Sequence, residues 1–299
     1  MPVHKPIKTA LLAASLLMGP GAFAAHAADA AAVRPQFAQE SMNVYRRFAP
    51  ESRDKMIEFY DKVLGLKSLR PINLGGGQQM ILFGIGSGQI KLASGLKEGR
   101  QYHPGAVNEA TGIRLFTLHF PDEAALTARF RSQGYPAPVF KDVGNGRRAA
   151  LAPDPAGFPL ELVIAPNAPD AYATVEVSIN VSDLKRSQAF YRDFAGLDEL
   201  APVKDALLGV TKHPYRHGQT TINLWSVGHN LPADTGSAGI QYVISNIDAV
   251  NARAAADHVT VETPLGGVPG FNVRTVWLND PDGVTDYFYQ LGARPDPAK

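Results

Sequence analysis

Apolar and polar residues alternate from Val175 to Val181, with Val175, Val177, Ile179 and Val181 separated by Glu176, Ser178 and Asn180. A two-residue period predicts a strand with one wet face. Ser182 and Asp183 then supply side-chain oxygens that can cap orphan amides, and an apolar stripe through Leu184, Ala189, Phe190 and Phe194 predicts a helix that Gly196 ends. The same order of strand, polar break and helix runs from Asn43 to Leu66, where FYDKVLGL matches the FYRDFAGL of 190–197.

A second marker also occurs twice. Asp154-Pro155-Ala156-Gly157 and Asp280-Pro281-Asp282-Gly283 are tight-turn sequences, each followed by an apolar strand, LELVI in one case and DYFYQL in the other. The two FY pairs lie 131 residues apart and the two DP pairs 126, so one domain is written twice. Further strands are predicted at 82–85, 88–94 and 113–120, then a helix over 122–134 and a hairpin around Gly144-Asn145-Gly146. In the second half, strand patterns at 218–228, 239–246, 274–280 and 286–291 surround a helix from about Asp248 to Asp257. Each domain is thus itself doubled, giving an α+β chain of four modules in domains 41–168 and 169–293, with a tail at 294–299.

The start of the chain is of another kind. Lys5 and Lys8 precede the apolar run TALLAASLLMG and a small-residue Ala25-His26-Ala27 site, the three parts of a secretory signal peptide cleaved after Ala27. That run is too short to cross a hydrocarbon layer of ~30 Å at ~1.5 Å per residue, so export to the periplasm is expected rather than a membrane anchor. The absence of cysteine excludes disulfides and a lipid-modified cysteine and agrees with that compartment. Residues 28–40 carry no periodic pattern and read as a flexible lead-in. With 29 Lys and Arg against 28 Asp and Glu and no dense basic run, neither nucleic acid nor an anionic membrane surface is an expected partner. There is no GxSxG elbow, no cysteine nucleophile and no Walker-type loop, and Gly75-Gly76-Gly77 precedes a strand rather than a helix.

The NVSDLKRSQAFYRDFAGL run, the DPxG turn with its strand and the four-module order together resemble the glyoxalase, bleomycin-resistance and extradiol-dioxygenase group, the vicinal oxygen chelate superfamily. The resemblance covers roughly Met42 to Gly292 and implies two tandem glyoxalase-like domains, whose βαβββ-type modules form cupped mixed sheets. It also implies that metal ligands, where members bear them, come from the module-opening strands and the wet faces of the module-closing strands. Carried across, those places hold Tyr45, about Leu115, Glu176 and about Gly239, then Glu161 and Tyr287, with Lys91 and Asn223 on the intermediate strands. Neither domain has a full set of His, Gln or Glu. If each domain closes its own site, Glu161 meets Tyr45 and Lys91, while Glu176 meets Asn223 and Tyr287. If halves of neighbouring domains combine, Glu161, Glu176 and Asn223 come together, and His119 joins them from the strand that holds Leu115. The candidate catalytic set is therefore Glu161, Glu176, His119 and Asn223. The first three are also the candidate ligands of a weakly held divalent metal, Fe, Mn, Ni or Zn, if any metal is bound.

Residues expected to contact a ligand are Tyr45, Trp225, Gln241, Tyr287, His213, His217 and Arg114. The aromatics and amides suit stacking and hydrogen bonding, and Arg114 suits an anionic group. His213 and His217 have helical spacing, but Pro214 and Gly218 argue against a helix there, so a loop that serves as a lid or substrate contact is expected. Two function classes remain. One is a lyase, isomerase or ring-modifying enzyme acting on a small, partly aromatic molecule, and the other is a binding protein that sequesters such a molecule; glutathione-linked glyoxalase chemistry ranks third. Internal doubling favours a monomer over a homodimer.

Overall fold

The computed structural model describes residues 33–75, 78–165 and 174–292. The signal sequence, the boundary placed at 168/169 and the C-terminal tail fall outside the described residues.

The first module is β1 (Asn43–Phe48), α1 (Arg53–Glu58), β2 (Lys67–Gly75), β3 (Gln78–Ile85) and β4 (Gly88–Ser94). The second is β5 (Thr111–Phe120), α2 (Glu123–Ser132), β6 (Lys141–Gly144), β7 (Arg147–Pro153) and β8 (Pro159–Ile164). The third comprises β9 (Val175–Asn180), α3 (Leu184–Ala189), the short β10 (Asp198–Glu199) and β11 (Val203–Lys204), β12 (Thr211–His217) and β13 (Thr220–Trp225). After the two-residue β14 (Ala233–Asp234), the fourth has β15 (Ala238–Val243), α4 (Ile247–Ala256), β16 (Val261–Gly267), β17 (Val273–Asn279) and β18 (Thr285–Leu291).

The sheets do not follow the sequence domains. Modules one and four form an eight-stranded sheet in the order β16-β17-β18-β15-β1-β4-β3-β2, and modules two and three form the other, in the order β10-β12-β13-β9-β5-β8-β7-β6. Antiparallel pairs β1–β15 and β5–β9 make the two junctions. The period-2 pattern puts one face of each sheet into a common core with the helices and leaves the other face to a polar-lined cup.

The two repeated motifs meet inside each half. After α1 and α3 the helix widens by one turn, with Leu64 N–H donating to Phe59 O and Ala195 N–H to Phe190 O, both at 2.9 Å, which turns Phe and Tyr of each FY pair into the core. Gly65 and Gly196 then adopt φ of 72° and 74°, a left-handed conformation that suits glycine. The Tyr191 hydroxyl donates to Asp280 of the second DPxG turn at 3.0 Å, and Asp280 Oδ1 accepts the Asp282 and Val284 amides at 2.8 Å. In the first half Asp154 does the same turn work and is paired with buried Arg46 at 3.0 Å. The second half has Ile179 at the strand position of Arg46 and adds buried Asp286, which accepts from Tyr242 at 2.6 Å.

Burial raises the pKa of both Asp280 and Asp286; the neighbouring charge of Asp282 adds to the rise at Asp280, and that of Asp280 adds to the rise at Asp286. A carboxyl whose folded pKa lies above its unfolded one stabilises most at low pH, and the contribution is lost as pH rises through the folded value. Asp286→Asn keeps an oxygen for Tyr242 and removes the second charge. Urea midpoints from about pH 5 to about pH 9 should fall in the parent and run flatter in the variant; parallel curves would refute the coupling.

Residues 33–40 are not the loose lead-in expected from composition. Phe37 stacks on His217 at 3.7 Å, Ala38 N–H donates to Val243 O at 2.9 Å and Gln219 N–H donates to Glu40 O at 2.8 Å. One stacked ring together with backbone hydrogen bonds to the fourth and third modules anchors a segment that has no period of its own.

Candidate functional site

The β5–β9 junction brings Glu161 and Glu176 into one cavity. Thr117 on β5 is level with Glu161 on parallel β8 and with Glu176 on antiparallel β9, so the strand register itself places a carboxylate on either side of one threonine. Asn223 on β13 is level with Ser178, two residues along from Glu176, and its side chain reaches the Glu176 carboxylate. The cavity has a volume of about 540 Å³, and Asp205 and Lys212 join those four residues at its floor.

Lys212 holds the floor together. Its Nζ lies 2.5 Å from Asp205 Oδ2 and 3.0 Å from Glu161 Oε2, with all three side chains below 10 % exposed. Burial alone would push the ammonium pKa down, but Glu161 and Asp205 outweigh it and raise it. Thr117 Oγ1 also donates to Glu161 Oε2, at 2.6 Å. Both contacts fall on that one oxygen, and no hydrogen bond is made to Glu161 Oε1 among the described residues.

Glu176 is tied at both oxygens. Asn223 Nδ2 donates to Oε2 at 2.8 Å, and His119 Nε2 lies 3.0 Å from Oε1. Burial opposes the charge, yet His119, Lys212 and Asn223 together pull the pKa down to about 2. Arg147 Nη2 stands 3.5 Å from the other ring nitrogen of His119. A guanidinium can only donate, so Nδ1 is the acceptor and Nε2–H faces the carboxylate. His119 therefore sits behind Glu176 as a positioning residue and does not itself line the cavity, in contrast to the role expected from its strand position. A depressed carboxylate pKa stabilises the fold above the unfolded value near ~4.3 and the effect is lost as pH falls towards the folded value. His119→Ala should lower the urea midpoint at neutral pH and lose less of it between about pH 4.5 and about pH 2.5; an unchanged acid limb would exclude the pairing.

Leu115, read as about the site position on β5, is level with Ser178 and fully buried; the residue between the two carboxylates is Thr117, two positions further along the same face. The expected ligand contacts lie elsewhere. His213 and His217 are on strand β12, neither helix nor loop, where Lys212, Pro214 and Arg216 face the cavity and the odd positions face away. His213 meets Gln188 at 3.3 Å, and His217 Nε2 meets Gln39 O at 2.6 Å. Arg114 is fully buried and clamps the loop carbonyls of His103 and Ala106, both at 2.9 Å, with Asp234 beside it at 3.4 Å, so no substrate anion reaches it. Trp225 is buried at 1 % exposure beyond the cavity, two residues past Asn223. Tyr45, Gln241 and Tyr287 belong to the other sheet.

Lys212 and Asp205 were missed because no motif marks them. The signal that could have found Lys212 is the alternation Lys212-Pro214-Arg216 leading into the strand pattern after Gly218. Arg147, Lys204 and Arg216 are exposed at the cavity mouth, giving it a cationic rim above an acidic floor.

Metal-bearing relatives of the kind named above would take ligands from these same strand positions. The donors here do not fit a resident divalent ion. Both Glu176 oxygens are engaged, a lysine ammonium lies between Glu161 and Asp205, and among the described residues no three His, Cys, Asp or Glu side chains converge as a metal set.

The model of the Glyoxalase/Bleomycin resistance protein/Dioxygenase superfamily matches this chain twice, over residues 49–162 and 173–285. The chain is 25 % identical over 248 residues to a lactoylglutathione lyase of Arabidopsis thaliana, covering 77 % of this chain and 84 % of that one. It is 26 % identical over 253 residues to the lactoylglutathione lyase of Oryza sativa subsp. japonica, covering 77 % and 82 %. Glyoxalase I from Zea mays superposes with a TM-score of 0.63 at 20 % identity over 84 % of this chain and 92 % of that one, a likeness of fold. No helix among the described residues is long and apolar enough to cross a membrane.

Proposed function

Since the chain belongs to the Glyoxalase/Bleomycin resistance protein/Dioxygenase superfamily, and its curated relatives are lyases, we propose that it is an exported enzyme of lyase or isomerase type. It moves a proton next to a carbonyl of a small anionic molecule, with Lys212 supplying the positive charge in the cavity.

The observation that carries this reading is the Lys212 ammonium held against Glu161 while Glu161 Oε1 stays open to the cavity. Two of the three ammonium N–H groups are spent on Glu161 and Asp205, and the third can donate to a substrate carbonyl oxygen. Glu161 Oε1 takes the proton from the adjacent carbon, and charge passes from the carboxylate to the enolate oxygen. Lys212 neighbours an anion before and after, so the buried pair is never broken. Where the carbon that loses the proton carries a hydroxyl, return of the proton to the former carbonyl carbon, with the hydroxyl proton passing to the enolate oxygen, gives an isomerisation; departure of a β substituent with its bonding electron pair gives an elimination. Glu176, tied at both oxygens and with its pKa near 2, stays ionised and holds the Asn223 amide, whose oxygen can orient a substrate hydroxyl. The rim of Arg147, Lys204 and Arg216 suits a carboxylate or phosphate on the substrate.

The test needs no knowledge of the full reaction. Small 2-oxo and 2-hydroxy carboxylates incubated with the enzyme in deuterated water should lose by NMR the signal of the C–H next to the carbonyl, at C3 of the 2-oxo acids and C2 of the 2-hydroxy acids, at a rate unaffected by chelators. Absence of exchange across the panel, with binding intact, would favour the second reading, a sequestering protein. The internal satisfaction of most floor groups supports that alternative. Because modules one and four, and two and three, pair within one chain, both cups close without a second copy, and we propose a monomer.

A further inference from the structure

The two sheets place four polar residues at matching positions. Across the β5–β9 junction these are Glu176, Thr117, Glu161 and Asn223; across β1–β15 the same register steps lead to Asn43, Gln241, Tyr287 and Lys91. Asn43 is level with Gln241 as Glu176 is with Thr117, and Gln241 is level with Tyr287 as Thr117 is with Glu161. The charges are reversed. Where the first floor has carboxylates and a paired lysine, the second has amides, a phenol and a lysine without an ion pair among the described residues.

Lys91 Nζ makes one hydrogen bond, to Gln241 Oε1 at 2.5 Å, and the same oxygen accepts Asn43 Nδ2 at 2.9 Å. An ammonium has three N–H groups, so two are left without a described partner in a half-buried setting. Burial, with no anion to oppose it, lowers the Lys91 pKa to about 8. An incoming anion would restore the missing charge. The Tyr287 hydroxyl also reaches Gln241, the side chain that holds the ammonium, and Trp277 packs on Tyr287 at 5.0 Å between ring centroids. Both rings are partly exposed. One end of this cup is closed by the segment carrying Lys97 and Arg100: Arg100 donates to Gly283 O at 2.9 Å and Asn279 Oδ1 at 3.1 Å, and Lys97 lies 4.8 Å above the Trp277 ring.

We propose that the eight-stranded sheet holds a second ligand site, for a small aromatic carboxylate, with Lys91 taking the carboxylate and Tyr287 and Trp277 taking the ring. Tyr45, Gln241 and Tyr287, expected from sequence as ligand contacts, belong to this site. The Tyr45 ring lies over Gly239, where any Cβ would collide with it, so the floor has room only because that position is glycine. The site is independent of the proton-transfer reading, since it shares no residue with the other cavity.

Trp277 gives the readout, because the second tryptophan, Trp225, is buried. Benzoate titrated into the full mature chain should quench tryptophan fluorescence saturably, and neutral benzamide should not. Lys91→Met should weaken benzoate binding at least about 10-fold and Lys91→Arg should restore most of it, with circular dichroism confirming that both variants fold. Quenching that survives Lys91→Met, or none up to about 10 mM benzoate, overturns the proposal. Inorganic phosphate binding as tightly as benzoate overturns the aromatic part of the assignment.

Discussion

Glu161→Gln should lower proton exchange at the substrate α-carbon by about 10²–10⁴-fold, the range for removing a positioned general base. The substitution keeps the side-chain shape and an oxygen for Thr117 and Lys212, but an amide cannot take the proton. Circular dichroism and melting temperature should stay close to those of the parent while exchange collapses. Glu176→Gln makes the contrast. Glu176 has no open oxygen and its pKa lies near 2, so its loss should disturb substrate orientation through Asn223 and cost less turnover than loss of Glu161. If the order is reversed, the base has been assigned to the wrong carboxylate. If both variants bind ligand as the parent does and the parent never exchanges protons, the cavity is a binding site alone.

Lys212→Met should give the largest effect on stability. Glu161 and Asp205 are both 6 % exposed and share this cation, and removing one partner of a buried pair costs about 3–5 kcal/mol because it leaves charge uncompensated. Chemical denaturation at neutral pH would measure the loss. The variant should also gain what the parent lacks. With the ammonium gone, Glu161 and Asp205 can share a divalent cation, so Mn²⁺ or Mg²⁺ should raise the melting temperature of Lys212→Met and leave the parent unmoved. A parent that holds stoichiometric metal after purification without chelators, and melts lower in EDTA, would show that Lys212 yields its place to an ion.

The doubled architecture was legible from short patterns. Strand alternation at 175–181, the FY pairs before Gly65 and Gly196 and the two DPxG turns are local signals, set by backbone geometry and by which face of an element is apolar. They located β9, α3 and their upstream copies to within a few residues, and with them the module order. Glu161, Glu176 and Asn223 could be picked out because each sits at a polar position on a strand bearing an apolar opposite face.

Which strands share a sheet is another matter, because the alternation of β5 is the same whether its neighbour is β9 or β15. Long-range edge pairing joined module two to three and one to four, gathering Glu161 and Glu176 at one floor and sending Tyr45, Gln241 and Tyr287 to the other. The pairing of β5 with β9 set Thr117, not Leu115, level with Glu176. The extension of β12 through Pro214 turned Lys212 inward and His213 and His217 outward, a reversal that one residue of register suffices to make. Local periodicity thus dictated the elements, while the cation at the centre of the cavity was set by pairings between residues as far apart as Glu161 and Lys212, which no local pattern encodes.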